Sequence, residues 1–199
     1  AMLARLVAAD IRPPPSLRAV LVGGAALAEP LWPRASRAGW PLLPSYGMSE
    51  TSAQLATWDP AAGPWQAGRV GHPLPGNAVA IGDDGRIRVR GPQVMAGYLD
   101  ASGQTGVGLE DGWFTTGDLG CLDAAGRLTV LGRADDVLVS GGENIHPLTV
   151  ESCLAACPGV ADVAVSARPD DTWGDLLVAL VVGVASAEGI AAWSRQHLP

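Results

Sequence analysis

The sequence contains no lysine; all 13 basic residues are arginines. Any chemistry that needs a lysine ammonium must therefore be served from outside these residues. Aromatics with a single ring are also scarce, with one phenylalanine and two tyrosines, although there are seven tryptophans. Basic charge is in the minority: the net charge is −7, which argues against a partner bound through a phosphate backbone, so nucleic acid is excluded as the main partner. No apolar run reaches the roughly 18–20 residues that a membrane-crossing helix needs, so no membrane partner is expected. Arg5, Asp10 and Arg12 interrupt any apolar core of a leader peptide. Cysteine is sparse and odd in number (Cys121, Cys153, Cys157), which points to a reducing, cytoplasmic setting. Cys153 and Cys157 lie one helical turn apart with no further ligand nearby in sequence, the pattern of two small core residues rather than a metal pair.

What is abundant is punctuation. Twenty-six glycines and 16 prolines divide short apolar runs. Residues 17–22 read as a buried strand closed by Gly23-Gly24, and Ala25–Ala38 as a helix with Pro30 and Pro33 near its start. After a Pro/Gly-rich link, Val79–Ile81 and Ile87–Val89 alternate around Asp83-Asp84-Gly85, the composition of a β-hairpin. Arg86, Arg88 and Arg90 alternate onto the opposite face, which is expected to be solvated. Leu128–Val130 reads as a further hairpin arm, and Val137–Val139 as a short β-branched run. Pro147 suits a first helical turn, and Val150, Cys153, Leu154 and Cys157 form a helical stripe ended by Pro158-Gly159. Strands are expected over 160–166 and 176–184, and a last helix from Ser186 with Ile190, Trp193 and Leu198 inward. The fold class is α/β in the mixed α+β sense.

Three stretches carry chemistry. Tyr46-Gly47-Met48-Ser49-Glu50-Thr51 puts an aromatic, hydroxyls and a carboxylate within six residues. Such a set can stack on a base, donate to phosphate oxygens and offer a hard oxygen to Mg²⁺, although a Ser/Thr-capped helix start has the same composition. Gly112-Trp113-Phe114-Thr115-Thr116-Gly117-Asp118 holds a carboxylate just past a glycine, where it can accept two hydrogen bonds from vicinal hydroxyls; an ordinary turn aspartate reads the same way. Gly132-Arg133-Ala134-Asp135-Asp136, followed by Ser140-Gly141-Gly142-Glu143-Asn144-Ile145-His146-Pro147, combines a carboxylate pair with a glycine turn that can approach a ligand closely.

These three stretches, in this order, resemble the motifs of the adenylate-forming enzymes, the superfamily of acyl- and aryl-CoA ligases, adenylation domains and firefly-type luciferases. The resemblance implies the end of a large AMP-binding domain over 1–133, with a β-rich subdomain at about 66–133. A small mobile lid domain would follow over 134–199. It also implies an ATP-dependent reaction in two halves, acyl-adenylate formation and then thioester formation with coenzyme A, using Mg²⁺ and a small carboxylic acid. Gly23, Gly24 and Ala25 would line the adenine and acyl pocket, and Tyr46 and Gly47 would lie against adenine. Ser49 would contact the α-phosphate and Glu50 would bind the metal. Asp118 would hold the ribose and Arg133 the nucleotide. Asp135 would be the hinge, Gly141 and Gly142 would line the pantetheine tunnel, and Trp173 would either stack on the adenine of coenzyme A or pack at its rim.

Within the superfamily, Val22–Leu27, Leu74-Pro75-Gly76 and the Ser140–Pro147 junction resemble the ligases that act on o-succinylbenzoate in menaquinone biosynthesis; benzoate-type ligases share most of these features. Two family elements are missing from these residues: the Ser/Thr/Gly-rich phosphate loop with its lysine, and the C-terminal lysine that assists adenylation. The chain alone is therefore expected not to form acyl-adenylate at an enzymatic rate. A missing N-terminal portion, a homo-oligomer, or a non-catalytic nucleotide- or CoA-binding fragment remain alternatives at this point.

Overall fold

The computed structural model describes residues 2–198 and divides the chain into two compact units. One comprises residues 1–27 and 31–130, the other residues 28–30 and 131–199. Among the described residues, no helix is long and apolar enough to cross a membrane.

The first unit opens with helix α1 (Met2–Ala8), strand β1 (Val20–Val22) and helix α2 (Leu31–Arg37). Helix α2 is shorter than the predicted Ala25–Ala38. Proline disfavours the helical conformation in the residue before it, so Pro30 pushes Glu29 away from helix. Strands β2 (Leu42–Met48), β3 (Ala53–Thr57), β4 (Arg69–Pro73), β5 (Ala78–Ile81), β6 (Arg86–Arg90), β7 (Leu109–Glu110), β8 (Trp113–Leu122) and β9 (Leu128–Arg133) follow. They join β1 in a nine-stranded sheet ordered β1-β2-β3-β4-β9-β8-β6-β5, with β7 paired to β8. Strands β1 and β2 are parallel, with Val22 opposite Pro44, while β2–β3, β3–β4, β4–β9, β5–β6, β6–β8 and β7–β8 are antiparallel.

The β5–β6 hairpin forms where alternation predicted it, with Ile81 opposite Ile87. Its inward residues Ile87 and Val89 join Leu55, Ala56, Val70, Phe114 and Leu128 in the core. Each large apolar side chain buried there contributes roughly 1.5–3 kcal/mol. The arginine face is not simply solvated. The Arg90 and Arg88 guanidinium groups lie 4.8 and 5.8 Å from the Trp113 ring centroid, and Arg88 sits 3.6 Å from Glu110.

The second unit holds strands β10 (Leu138–Ser140), β11 (Glu143–Ile145), β12 (Val160–Asp170) and β13 (Gly174–Gly183) in the order β11-β10-β13-β12. Helices α3 (Pro147–Ala155) and α4 (Ala187–His197) complete it. Pro147 opens α3 as expected. The helix ends two residues before Cys157, yet Cys157 and Leu154 are both buried. Burial pushes the Cys153 thiol up from its ordinary value, as befits a packed rather than reactive cysteine. Trp193 of α4 donates its indole N–H to the Cys153 carbonyl at 2.9 Å, and Ser186 caps α4 by accepting from the Gly189 N–H at 3.1 Å.

Candidate active site

In the first unit, the parallel pairing of β1 and β2 sets their carboxyl ends side by side, the usual ligand edge of such a sheet. Gly23–Ala25 follow the end of one strand, and Tyr46–Met48 are the last residues of the other, with Ser49 just past it. Ser45 donates its hydroxyl to the Val22 carbonyl at 3.3 Å. A Cβ on Gly23 would lie 2.8 Å from that hydroxyl oxygen, so the glycine lets the two strand ends close.

Gly47 is required by backbone contact. A Cβ there would stand 1.6 Å from the Ala53 carbonyl oxygen, and the ladder between β2 and β3 shifts register between Tyr46 and Gly47. Bulges of this kind re-aim side chains at site edges. Here the Tyr46 hydroxyl donates to Asp118 Oδ2 at 2.6 Å, joining two of the sequence motifs across 72 residues. Asp118 lies within strand β8, not in a turn past Gly117 as its composition suggested. Its own N–H donates to the hydroxyl of Thr116, a side chain that is almost fully buried.

Ser49, Glu50 and Thr51 form a single 3₁₀ turn between β2 and β3, and no α-helix starts there. Thr51 is buried; its hydroxyl accepts from the Met48 N–H at 3.1 Å and lies 3.1 and 3.2 Å from the Met48 and Ala53 carbonyls. Gln93 donates to the Thr51 carbonyl at 3.1 Å, which ties the turn to the segment after β6. Ala53 takes φ +93°, a strained value for a residue with a Cβ. Ser49 is exposed and Glu50 half-buried. Glu50 Oε1 accepts the Tyr98 hydroxyl at 2.7 Å, and this hydrogen bond raises the phenol above its ordinary value. Among the described residues, no group of three or more His, Cys, Asp or Glu could hold a metal. A lone hard carboxylate still fits Mg²⁺ in its commonest mode, with one or two protein carboxylates and the remaining ligands from phosphates and water.

In the second unit, Arg133 precedes and Asp135 lies within a 3₁₀ turn (Ala134–Asp136), their charged groups 3.8 Å apart and both exposed. With Asp136, His146, Glu151 and Ser166 they line an open groove of about 470 Å³. The β10–β11 turn holds Gly141 at φ +59° and Gly142 at φ +86°. The Gly141 N–H donates to the Trp173 carbonyl at 2.8 Å, and a Cβ on Gly141 would come within 3.0 Å of the Trp173 ring. Trp173 is 55% exposed, so its ring covers one side of the glycine turn and leaves much of its own surface open. Nothing lies within 4 Å of where a Cβ on Gly142 would stand.

The structure thus brings Tyr46 and Asp118 together in the first unit, sets Gly23 against Ser45 and Glu50 against Tyr98 as separate contacts, and brings Gly141 and Trp173 together in the second. Sequence reasoning passed over Tyr98, Gln93, Thr51 and Thr116. Only Thr51 and Thr116 stand inside a recognised motif; Tyr98 and Gln93 reach theirs from a stretch with no periodicity.

Comparison with known proteins gives these contacts a context. Residues 1–99 match the AMP-binding enzyme family and residues 149–199 the AMP-binding enzyme C-terminal domain. The 2-succinylbenzoate–CoA ligase of Bacillus velezensis is 39% identical over 99% of this chain and 43% of its own length. That of Bacillus subtilis is 39% identical over 91% of this chain and 39% of its own length. The solved structure of the Bacillus subtilis o-succinylbenzoate CoA synthetase with its acyl-adenylate matches all of this chain and 43% of that one, with TM-score 0.85 and 36% identity. The same synthetase with ATP and magnesium gives TM-score 0.85 over 44% of its length. The chain therefore spans less than half the length of the relatives it matches. Two matches to one family, in order and covering most of the chain, place it: this chain belongs to the AMP-binding enzymes, the adenylate-forming superfamily.

Proposed function

We propose that the protein carrying these residues is an AMP-forming carboxylate–CoA ligase acting on o-succinylbenzoate in the cytoplasm. Its residues 1–133 would be the end of the large AMP-binding domain and 134–199 its lid. The observation that carries the reading is the 2.6 Å hydrogen bond from Tyr46 to Asp118, which joins the base-stacking and ribose-binding candidates of two separate motifs. The named relatives support the choice of carboxylate.

In this reading, ATP and the carboxylate give acyl-adenylate and pyrophosphate, and the thiol of coenzyme A then displaces AMP. Neither half needs a protein nucleophile, so catalysis rests on position and on stabilising charge. Tyr46 stacks on adenine with its hydroxyl fixed by Asp118, and Asp118 accepts from the ribose. Gly23, Gly24 and Ala25 leave room beside them. Ser49 donates to the α-phosphate, Glu50 manages phosphate charge as the metal acid, and Arg133 helps hold the AMP moiety. Bound at Glu50, Mg²⁺ supplies neutralisation of phosphate charge. Asp135 is the pivot between the two half-reactions, and Gly141 and Gly142 line the pantetheine path beside Trp173.

The test is pyrophosphate release and thioester formation by the full-length protein with ATP, Mg²⁺, coenzyme A and either o-succinylbenzoate or benzoate. Product with o-succinylbenzoate and none with benzoate is expected. Product with benzoate alone overturns the substrate, and no pyrophosphate with either overturns the ligase reading.

A further inference from the structure

Tyr98 lies outside the motifs that carry the family resemblance, yet its hydroxyl is placed with care. Its N–H donates to the Val107 carbonyl at 2.7 Å. Its ring meets the buried Phe114 edge-on at a centroid distance of 6.1 Å. On another side it lies against Gly108, where a Cβ would come within 2.9 Å of the ring. The following turn braces itself: Asp100 Oδ1 accepts from the Ser102 N–H at 2.8 Å, the Ser102 hydroxyl at 2.7 Å and the Gln104 N–H at 2.9 Å. Those bonds hold the Asp100 carboxyl below the usual carboxylate range. The same segment grips the Glu50 turn through its backbone, since the Met95 N–H donates to the Glu50 carbonyl at 2.8 Å. Glu50 is therefore held at main chain and side chain by one segment more than forty residues away.

An exposed tyrosine–glutamate contact is ordinarily a surface decoration of little energetic weight. Here the backbone is pinned and the ring meets Phe114 and Gly108 before the hydroxyl is spent, so less side-chain entropy remains to be lost in aiming it. The donor is also neutral. A phenol fixes the direction of the carboxylate by a hydrogen bond without adding a positive charge of its own, as an arginine in its place would. We propose that Tyr98 is a positioning residue that aims the Glu50 carboxylate at the divalent cation accompanying the nucleoside triphosphate. The inference rests on the reading of Glu50 as the metal acid, and goes beyond it by assigning the residue that orients it.

The test uses the full-length protein and the variant Tyr98→Phe, which keeps the ring and its contacts and removes the hydroxyl. Losing a hydrogen bond to a charged group should raise the Mg²⁺ concentration for half-maximal pyrophosphate release about tenfold. Thioester formation from supplied acyl-adenylate and coenzyme A should stay unchanged. A second readout needs no turnover. With 3-fluorotyrosine incorporated, the ¹⁹F resonance lost in Tyr98→Phe is that of Tyr98. It should move when Mg²⁺ is added to the ATP-bound protein, and should not move in Glu50→Gln. An unchanged Mg²⁺ requirement in Tyr98→Phe, an equal loss in both half-reactions, or a Tyr98 resonance indifferent to Mg²⁺ overturns the proposal. If wild-type protein releases no pyrophosphate from either carboxylate while the resonance responds to Mg²⁺ through Glu50, the ligase reading fails and the Tyr98–Glu50 device stands.

Discussion

Tyr46 and Tyr98 in the first unit each donate to a carboxylate far away in sequence, at 2.6 and 2.7 Å, and each carboxylate belongs to a family motif. The second unit holds its motif residues differently. Gly141 and Trp173 meet through a backbone hydrogen bond, and Arg133 faces Asp135 across 3.8 Å of exposed surface. Cross-linked side chains suit a site that must present fixed charges before the substrate arrives, because preorganised groups need no reorganisation during reaction. Glycine turns and loosely paired ions suit a surface that must come close to a ligand and leave again. If that contrast is right, substitution should cost folding in the first unit and turnover in the second. The largest expected effect is Gly47→Ala. Its Cβ would fall 1.6 Å from the Ala53 carbonyl oxygen, backbone against backbone, with no flexible side chain to yield. A loss of at least about 3 kcal/mol is expected from denaturant unfolding, because the β2–β3 pairing must open to relieve it. Gly24→Ala is the matched control: nothing lies within 4 Å of its Cβ, and only the φ of +79° opposes it. Equal losses in the two variants would mean that the Ala53 contact is not what makes Gly47 necessary.

The motifs were legible because they are local. Tyr46–Thr51, Gly112–Asp118 and Gly132–Pro147 each state their chemistry within a few residues, and the β5–β6 hairpin declared itself by strict alternation about an Asp-Asp-Gly turn. Several elements were not legible, each for a physical reason. Helix α1 is only seven residues long, with Leu3, Leu6 and Val7 half-buried, too short a pattern to stand out as a helix. Strand β11 consists of Glu143, Asn144 and Ile145, whose polar composition hid a strand that forms only because β10 is there to pair with it. Asp118 looked like a turn residue because glycine precedes it, but β8 continues through that glycine, with a register shift against β6 between the Arg88–Thr115 and Arg86–Leu119 pairs. Tyr98 was invisible as a site residue, since its only credential is a contact with Glu50 made 48 residues away.

Gly141→Ala should sit between the extremes and sharpen the contrast from the second unit. The residue lies at φ +59°, where a Cβ costs about 1–2 kcal/mol, and that Cβ would press the Trp173 ring at 3.0 Å. Because Trp173 is half exposed, the ring can give way and little more stability should be lost. Turnover should respond more sharply: KM for coenzyme A rises while pyrophosphate release holds at the wild-type rate. A stability loss above about 3 kcal/mol would mean that Trp173 is anchored like a core residue, and the second unit would then be built like the first.

The smallest effect is expected at the ion pair. The Arg133 and Asp135 side chains are 55% and 76% exposed, and their 3.8 Å separation is at the outer limit of an ion pair. Water and salt screen such a pair, and holding two mobile side chains in register costs much of what attraction remains. Asp135→Ala should therefore change unfolding stability by less than about 0.5 kcal/mol, and even that difference should shrink when the measurement is repeated in high salt. The contrast with Tyr46 is direct, because a neutral donor at 2.6 Å to a half-buried carboxylate is much less open to screening. A loss above about 1.5 kcal/mol in Asp135→Ala, undiminished by salt, would show that the pair is closed and desolvated in solution. A turn locked in that way could not act as a pivot between half-reactions, so this small stability measurement bears directly on the role proposed for Asp135.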